Sequence, residues 1–357
     1  MWPRTDFLDL LGIVHPVVQA PMSGFTPPAL VTAVCNAGGL GSVGCVGQPR
    51  DVVREQVATV RQATNRPFNL NFFVHRSPQT NPAATAQMRA KLAPYFDEYG
   101  LGPVPDPKDP FPTFDAEQLD LVLELRPRVV SFHFGLPETA AVRRLKGAGC
   151  IILSSATTVA EARSLKANGA EVIIAQGFEA GGHRGSFTDS AGTGMVGTMA
   201  LVPQIVDAVN VPVIAAGGIA DGRGIAAAFA LGASGVQMGT AFLGCPEASI
   251  SPLHRARLRA ATDDGTELTR VFTGRPARAM RNRFVTEMAD TEPLDFPLQA
   301  SLVGPLWRLP DETTRADFMP VWAGQAAPLL RELPAAQLIE ELVAEAQSII
   351  RQKGSAP

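Results

Sequence analysis

PVIAAGGIADGRG at residues 212–224 and GVQMGTAFL at residues 235–243 decide the fold. Each opens on a short apolar run without the in–out alternation of a half-exposed strand, the pattern of a parallel strand covered on both faces. The first run stops at Gly217 and Gly218 and then opens a helix; the second carries Gly239 and Thr240 at its end. Upstream the same unit recurs. Residues 17–22, 40–43, 68–74, 129–134, 150–155 and 172–176 read as strands, and 211–216 and 235–243 bring the set to eight. Segments such as 51–63, 137–148 and 159–168 between them read as helices. Eight strands alternating with helices predict an α/β chain of the (β/α)8, or TIM, barrel class. An open doubly wound sheet is the runner-up; it usually has fewer strands, and its GxGxxG after the first strand is missing here.

Past residue 245 the rhythm breaks into a basic helix, a second basic segment (277–284, ARAMRNRF) and a Pro-rich stretch. This divides the chain into a barrel at 1–245, a small inserted lobe, the lid, at 246–312, and a segment at 313–353 that returns to pack on the barrel. Residues 76–112 read as an insertion over one end of the fold, with a helix at 83–99 and then GPVPDPKDPFP, too rich in proline for regular structure.

The chain has 357 residues, 46% hydrophobic and 18% charged, with a net charge of −3. A large core follows, while a nucleic-acid or anionic-membrane surface does not. No run approaches the ~20 apolar residues of a membrane span. The start lacks a secretory pattern, and four cysteines without a CxxC pair read as buried free thiols, so the expected compartment is the cytoplasm. Five scattered histidines show no metal spacing, and no metal is expected.

In a barrel the reacting groups sit where strands end. The ends here bring together Ala20, Pro21, Met22, Asn71, Ser131, Gln176, Gly217, Gly218, Gly239 and Thr240, mostly small or amide side chains. Singly, each also reads as an ordinary turn residue. Together they suit a planar, polar, uncharged ring system such as an isoalloxazine. Glycines after the last two strands free backbone N–H groups for a phosphate. One visible cradle favours FMN over a dinucleotide. The loop 177–197 carries QGFEAGGHRG (176–185), which adds Gly181 and Gly182 and hangs one imidazole, His183, over the mouth. A histidine there can take or give a proton near neutral pH. Glu179 offers itself as an orienter of that ring.

These residues resemble a known family. QAPMSG, NAGGLGSVG, FNLNFF, VVSFHFG, SSATTVAEA, AQGFEAGGHRG, IAAGGIADGRG and GVQMGTAFL, with MRNRF and VWAGQ further on, are similar to the class I nitronate monooxygenases, formerly 2-nitropropane dioxygenases. The resemblance implies an FMN-dependent enzyme that oxidises alkyl nitronates with O2 to a carbonyl compound and nitrite. It places Pro21 and Met22 along the flavin, Asn71 and Gln176 at its polar edge, the glycines and Thr240 at its cofactor and phosphate site, and His183 beside the substrate. It puts Ser23, His133, His254 and Phe296 in the substrate pocket. It also implies a tyrosine-rich pocket with a lysine, whereas this chain has only Tyr95 and Tyr99, with His254, Phe296 and Gly304 near those expected positions. A more apolar nitro compound gains weight accordingly. An FMN-dependent NAD(P)H reductase of a quinone or enoyl thioester is the alternative on the same scaffold, and a flavin-binding protein without turnover is a third reading. Partners are a small molecule and O2, with no nucleic acid or membrane, in a monomer or homodimer.

Overall fold

The computed structural model describes residues 2–187 and 194–354, so part of the loop 177–197 lies outside the described residues. The strands are β1 (Val17–Gln19), β2 (Ser42–Gly44), β3 (Asn69–Phe73), β4 (Val129–His133), β5 (Ile151–Ala156), β6 (Val172–Gln176), β7 (Gly182–His183), β8 (Val213–Ala216), β9 (Gly235–Met238), β10 (Thr266–Thr269) and β11 (Ala277–Met280). Eight of them form one sheet in the order β1-β9-β8-β6-β5-β4-β3-β2. Every neighbouring pair is parallel. A parallel bridge between Val18 and Leu40 joins the two ends and closes the ring. The chain is a (β/α)8 barrel.

The strands are buried on both faces because helices cover the outside while side chains fill the inside. Val17, Ile173, Ile214 and Val236 belong to one apolar core with helix residues Leu30, Ile205, Ile225 and Leu338. The helices start where their sequences supply caps. Asp221 accepts the N–H groups of Arg223 and Gly224 at the head of Gly222–Ala230, and Thr158 accepts that of Glu161 at the head of Val159–Ala167. The helix Ala335–Gly354 lies against Gly222–Ala230, and a Cβ on Gly222 would come within 2.3 Å of the Glu345 side chain.

Residues 240–243, read from sequence as the end of the last strand, form a short helix, Thr240–Leu243. Strand pairing stops at Met238, and the Gly239 dihedrals (φ −104, ψ −75) turn the chain away from the sheet.

Above the barrel β10, β11 and β7 make a three-stranded antiparallel sheet. Its apolar core joins two distant parts of the chain. Met88, Leu92 and Phe96 of the helix Pro82–Glu98 pack with Phe272, Phe284, Leu302, Leu306 and Phe318. The insertion after β3 and the segment after β9 thus share one hydrophobic cluster over the barrel mouth. Tyr95 and Tyr99 lie in this packing, edge-on to Phe318, and not among the cavity-lining residues. No helix among the described residues is long and apolar enough to cross a membrane.

Candidate active site

The carboxyl ends of the barrel strands and the lid enclose a cavity of about 310 Å³. Ala20, Pro21, Met22 and Ser23 reach it after β1, Asn71 from β3, His133 from β4 and Gln176 from β6. The following loops add Gly181, Gly182, His183, Gly217, Gly218, Gly239 and Thr240.

One end of the cavity is made of backbone. Gly217 and Gly218 have φ of +100° and +73°, a region that costs L side chains strain. Gly181 is there for space, since a Cβ would sit 2.5 Å from the Gly324 nitrogen. The N–H groups of Gly218, Gly239 and Thr240 have no acceptor among the described residues. Among the described residues no lysine or arginine lines the cavity, so an anion here would be held by main-chain dipoles. Thr240 Oγ1 accepts the Gly324 N–H at 3.0 Å and keeps its own proton to give. Glu179 does not orient His183. Its carboxylate accepts the Thr198 N–H at 2.9 Å and the Thr198 hydroxyl at 2.9 Å, at the start of the helix Thr198–Ala208, where a negative charge is favoured.

Buried amides set the rest of the barrel rim. Asn71 Nδ2 donates to Ser131 Oγ at 2.8 Å and to the Ser131 carbonyl at 3.2 Å, which uses both of its hydrogens. Asn71 therefore offers Oδ1, an acceptor, to the cavity. Ser131 itself is 1% exposed and lies below the cavity, where its hydroxyl also accepts from Asn69 at 2.8 Å. Its side chain points into the barrel interior because successive strand residues alternate in direction. Gln176 spends its amide on the His183 loop, donating to the His183 carbonyl at 3.0 Å and accepting the Gly185 N–H at 2.7 Å.

His183 belongs to β7, opposite Ala277 of β11, so the lid sheet fixes its backbone. Its ring lies 5.4 Å from Trp322, 5.5 Å from Phe296, 5.9 Å from Phe73 and 6.0 Å from Phe134, centroid to centroid. Nε2 is 2.9 Å from Thr273 Oγ1. Burial, with repulsion from His133 once that ring is charged and from Arg275, holds the imidazole down to about 3, so it is neutral at ordinary pH. His133 sits beneath it. Its Nε2 is 3.1 Å from the His183 carbonyl, which can only accept, and its Nδ1 is 3.1 Å from Ser155 Oγ. Burial lowers this imidazole to about 4.

Two expected pocket residues stand back from the cavity. His254 is 1% exposed and packs edge-on against Phe25, at 5.3 Å. Phe296 backs His183 and stacks with Phe111, which does line the cavity. Sequence reasoning picked out Ser155 as a strand-end residue but missed Phe73, Phe111, Trp322, Thr273 and Arg275. Phe73 and Trp322 lay inside motifs already noted. Thr273 and Arg275 sit in a loop between two lid strands, where no periodicity marks them. Arg275 stacks over the Phe134 ring with its Cζ 4.1 Å from the centroid.

A family model described as nitronate monooxygenase matches residues 4–345. A nitronate monooxygenase of Paraburkholderia phytofirmans is 43% identical over 98% of this chain and 97% of its own length. Among solved structures, a nitroalkane oxidase from Streptomyces ansochromogenes is 38% identical with a TM-score of 0.89, covering 98% of this chain and 100% of its own. FabK from Thermotoga maritima is 31% identical with a TM-score of 0.76, covering 99% and 100%. The similarity extends along barrel and lid alike, and the chain is an oxidoreductase that belongs to the nitronate monooxygenase family.

Proposed function

We propose that the chain binds FMN at the barrel mouth and oxidises alkyl nitronates with O2 to a carbonyl compound and nitrite. The observation that carries the reading is the pairing of a backbone cradle, with no lysine or arginine lining it among the described residues, with the neutral His183 imidazole held over the same cavity. The residues present fit the cofactor. Gly218, Gly239 and Thr240 offer N–H groups to a phosphate, and Asn71 Oδ1 offers an acceptor to a ring N–H. Pro21 and Met22 give a flat apolar ring a surface to lie on. FMN, when bound, supplies the electron-accepting ring.

The chain's own residues bind and orient the substrate. Phe73, Phe111 and Trp322 line an apolar wall of the cavity that His183 also lines. That wall suits an alkyl tail and strengthens any hydrogen bond made to the nitronate oxygens. A neutral His183 can donate a hydrogen bond to such an oxygen through its N–H, or take a proton from carbon at its bare nitrogen.

Purified protein should be yellow and should release nitrite when mixed aerobically with an alkyl nitronate. A colourless preparation that does not take up FMN sinks the cofactor assignment, and a yellow one that releases no nitrite across several chain lengths sinks the substrate. The similarity to FabK favours a second reading, an FMN-dependent NAD(P)H reductase of a quinone or enoyl thioester. Rapid anaerobic bleaching of the flavin by NADH or NADPH would support it.

A further inference from the structure

The lid touches the His183 ring at one polar atom. Thr273 follows β10 in the loop leading to β11, and its Oγ1 lies 2.9 Å from His183 Nε2. Thr273 is 2% exposed, so water does not satisfy its hydroxyl. No other partner for that hydroxyl occurs among the described residues. A buried O–H that leaves its proton unpaired pays the desolvation cost of that group in full. The hydroxyl therefore donates to Nε2, and Nε2 accepts. A neutral imidazole carries one proton, which must then sit on Nδ1. His183 lines the cavity, and Nδ1 has no hydrogen bond to any described residue, nor is it sealed from the cavity.

We infer that Thr273 is a positioning residue that holds His183 in its Nδ1–H tautomer, so the imidazole presents a donor to the cavity and not a lone pair. The lid thus decides both where the His183 backbone lies, through β11, and which ring atom carries the proton. His133 provides an internal contrast, because its Nε2 must be the donor to the His183 carbonyl. The functional consequence rests on the proposed function. A donor at Nδ1 hydrogen-bonds an anionic nitronate oxygen directly, whereas removing a proton from carbon first requires the ring to change tautomer.

The test is the ring-nitrogen pattern in long-range 1H–15N spectra of the FMN-loaded chain labelled with 15N-histidine, with His183 assigned by its loss in His183→Asn. Wild type and Thr273→Ser should show Nδ1 protonated and Nε2 bare, opposite to His133. Thr273→Val should lose that pattern. An Nε2–H signal for His183 in wild type, or an unchanged pattern in Thr273→Val, overturns the inference. In kinetics, Thr273→Val should raise KM for a nitronate about tenfold, the worth of one hydrogen bond to a charged group, with flavin content unchanged. Thr273→Ser should restore it, and equal loss in both variants overturns the positioning role. If no variant, nor wild type, releases nitrite, the nitronate reading fails while the spectra still decide the tautomer.

Discussion

The two sides of the cavity are built from different chemistry. The barrel side is small residues, amides and open backbone, with a donor-rich cradle at Gly218, Gly239 and Thr240. The lid side is aromatic, with Phe111 and Trp322 lining the cavity and Phe296 behind His183. A backbone cradle recognises a rigid anion by shape, and few side-chain changes can alter it. An aromatic wall recognises volume and apolar area, and any substitution retunes it. Under the proposed function, the difference would let the barrel keep the cofactor while the lid chooses what reaches it.

Replacing His183 by Asn should break the lid side most severely. Nitrite release should fall by about 10²–10⁴-fold, the usual worth of a positioned acid–base group, with flavin content unchanged. Loss of flavin together with activity would mean that His183 belongs to the cradle instead.

The barrel side is probed by Gly218→Ala. At φ +73° the new Cβ costs roughly 1–2 kcal/mol. Flavin affinity should therefore fall about tenfold in a fluorescence titration, with KM for substrate on the reloaded enzyme little changed. Unaltered flavin binding would move the phosphate elsewhere.

The buried imidazoles bear on stability. Folding holds His183 at about 3 and His133 and His254 at about 4, chiefly by burial, against an ordinary 6.5. Below that ordinary value the unfolded chain binds more protons than the folded one, so stability falls with falling pH. The stability present above pH 6.5 should be lost progressively down to about 4 for His133 and His254 and about 3 for His183, by on the order of 1–2 kcal/mol per imidazole at pH 5. Thermal melts across that range check it; a flat melting temperature would mean the rings are protonated in the fold. His254→Gln should flatten the slope by about a third.

The smallest effect sharpens the contrast. Phe111→Leu should raise KM for an apolar nitronate about fivefold, as some 1 kcal/mol of apolar contact is lost, and should leave flavin affinity untouched. A change in flavin binding would show that this wall also serves the ring.

Much of this was legible in the chain. Short apolar runs ending in glycine announced the barrel, because a doubly covered strand has no polar face and its end must turn sharply. The motif glycines and His183 were legible for the same local reason. Thr240–Leu243 misled, because AFL is as apolar as a strand and only the Gly239 dihedrals stop the pairing. Glu179 misled because its proximity in sequence to His183 says nothing of Thr198, which only the folded loop brings to it.

By itself, then, the sequence determined the alternation of strands and helices, the glycines of the cradle and the presence of one histidine beside it. These are consequences of neighbouring residues and of backbone freedom at single positions. Only the tertiary structure decided that residues 82–98 and 271–318 share one core, that Ser131 works through Asn71, and that Thr273 meets His183. Those pairings join segments 60 or more residues apart. Packing and the pairing of buried polar groups select them, and no local pattern records them.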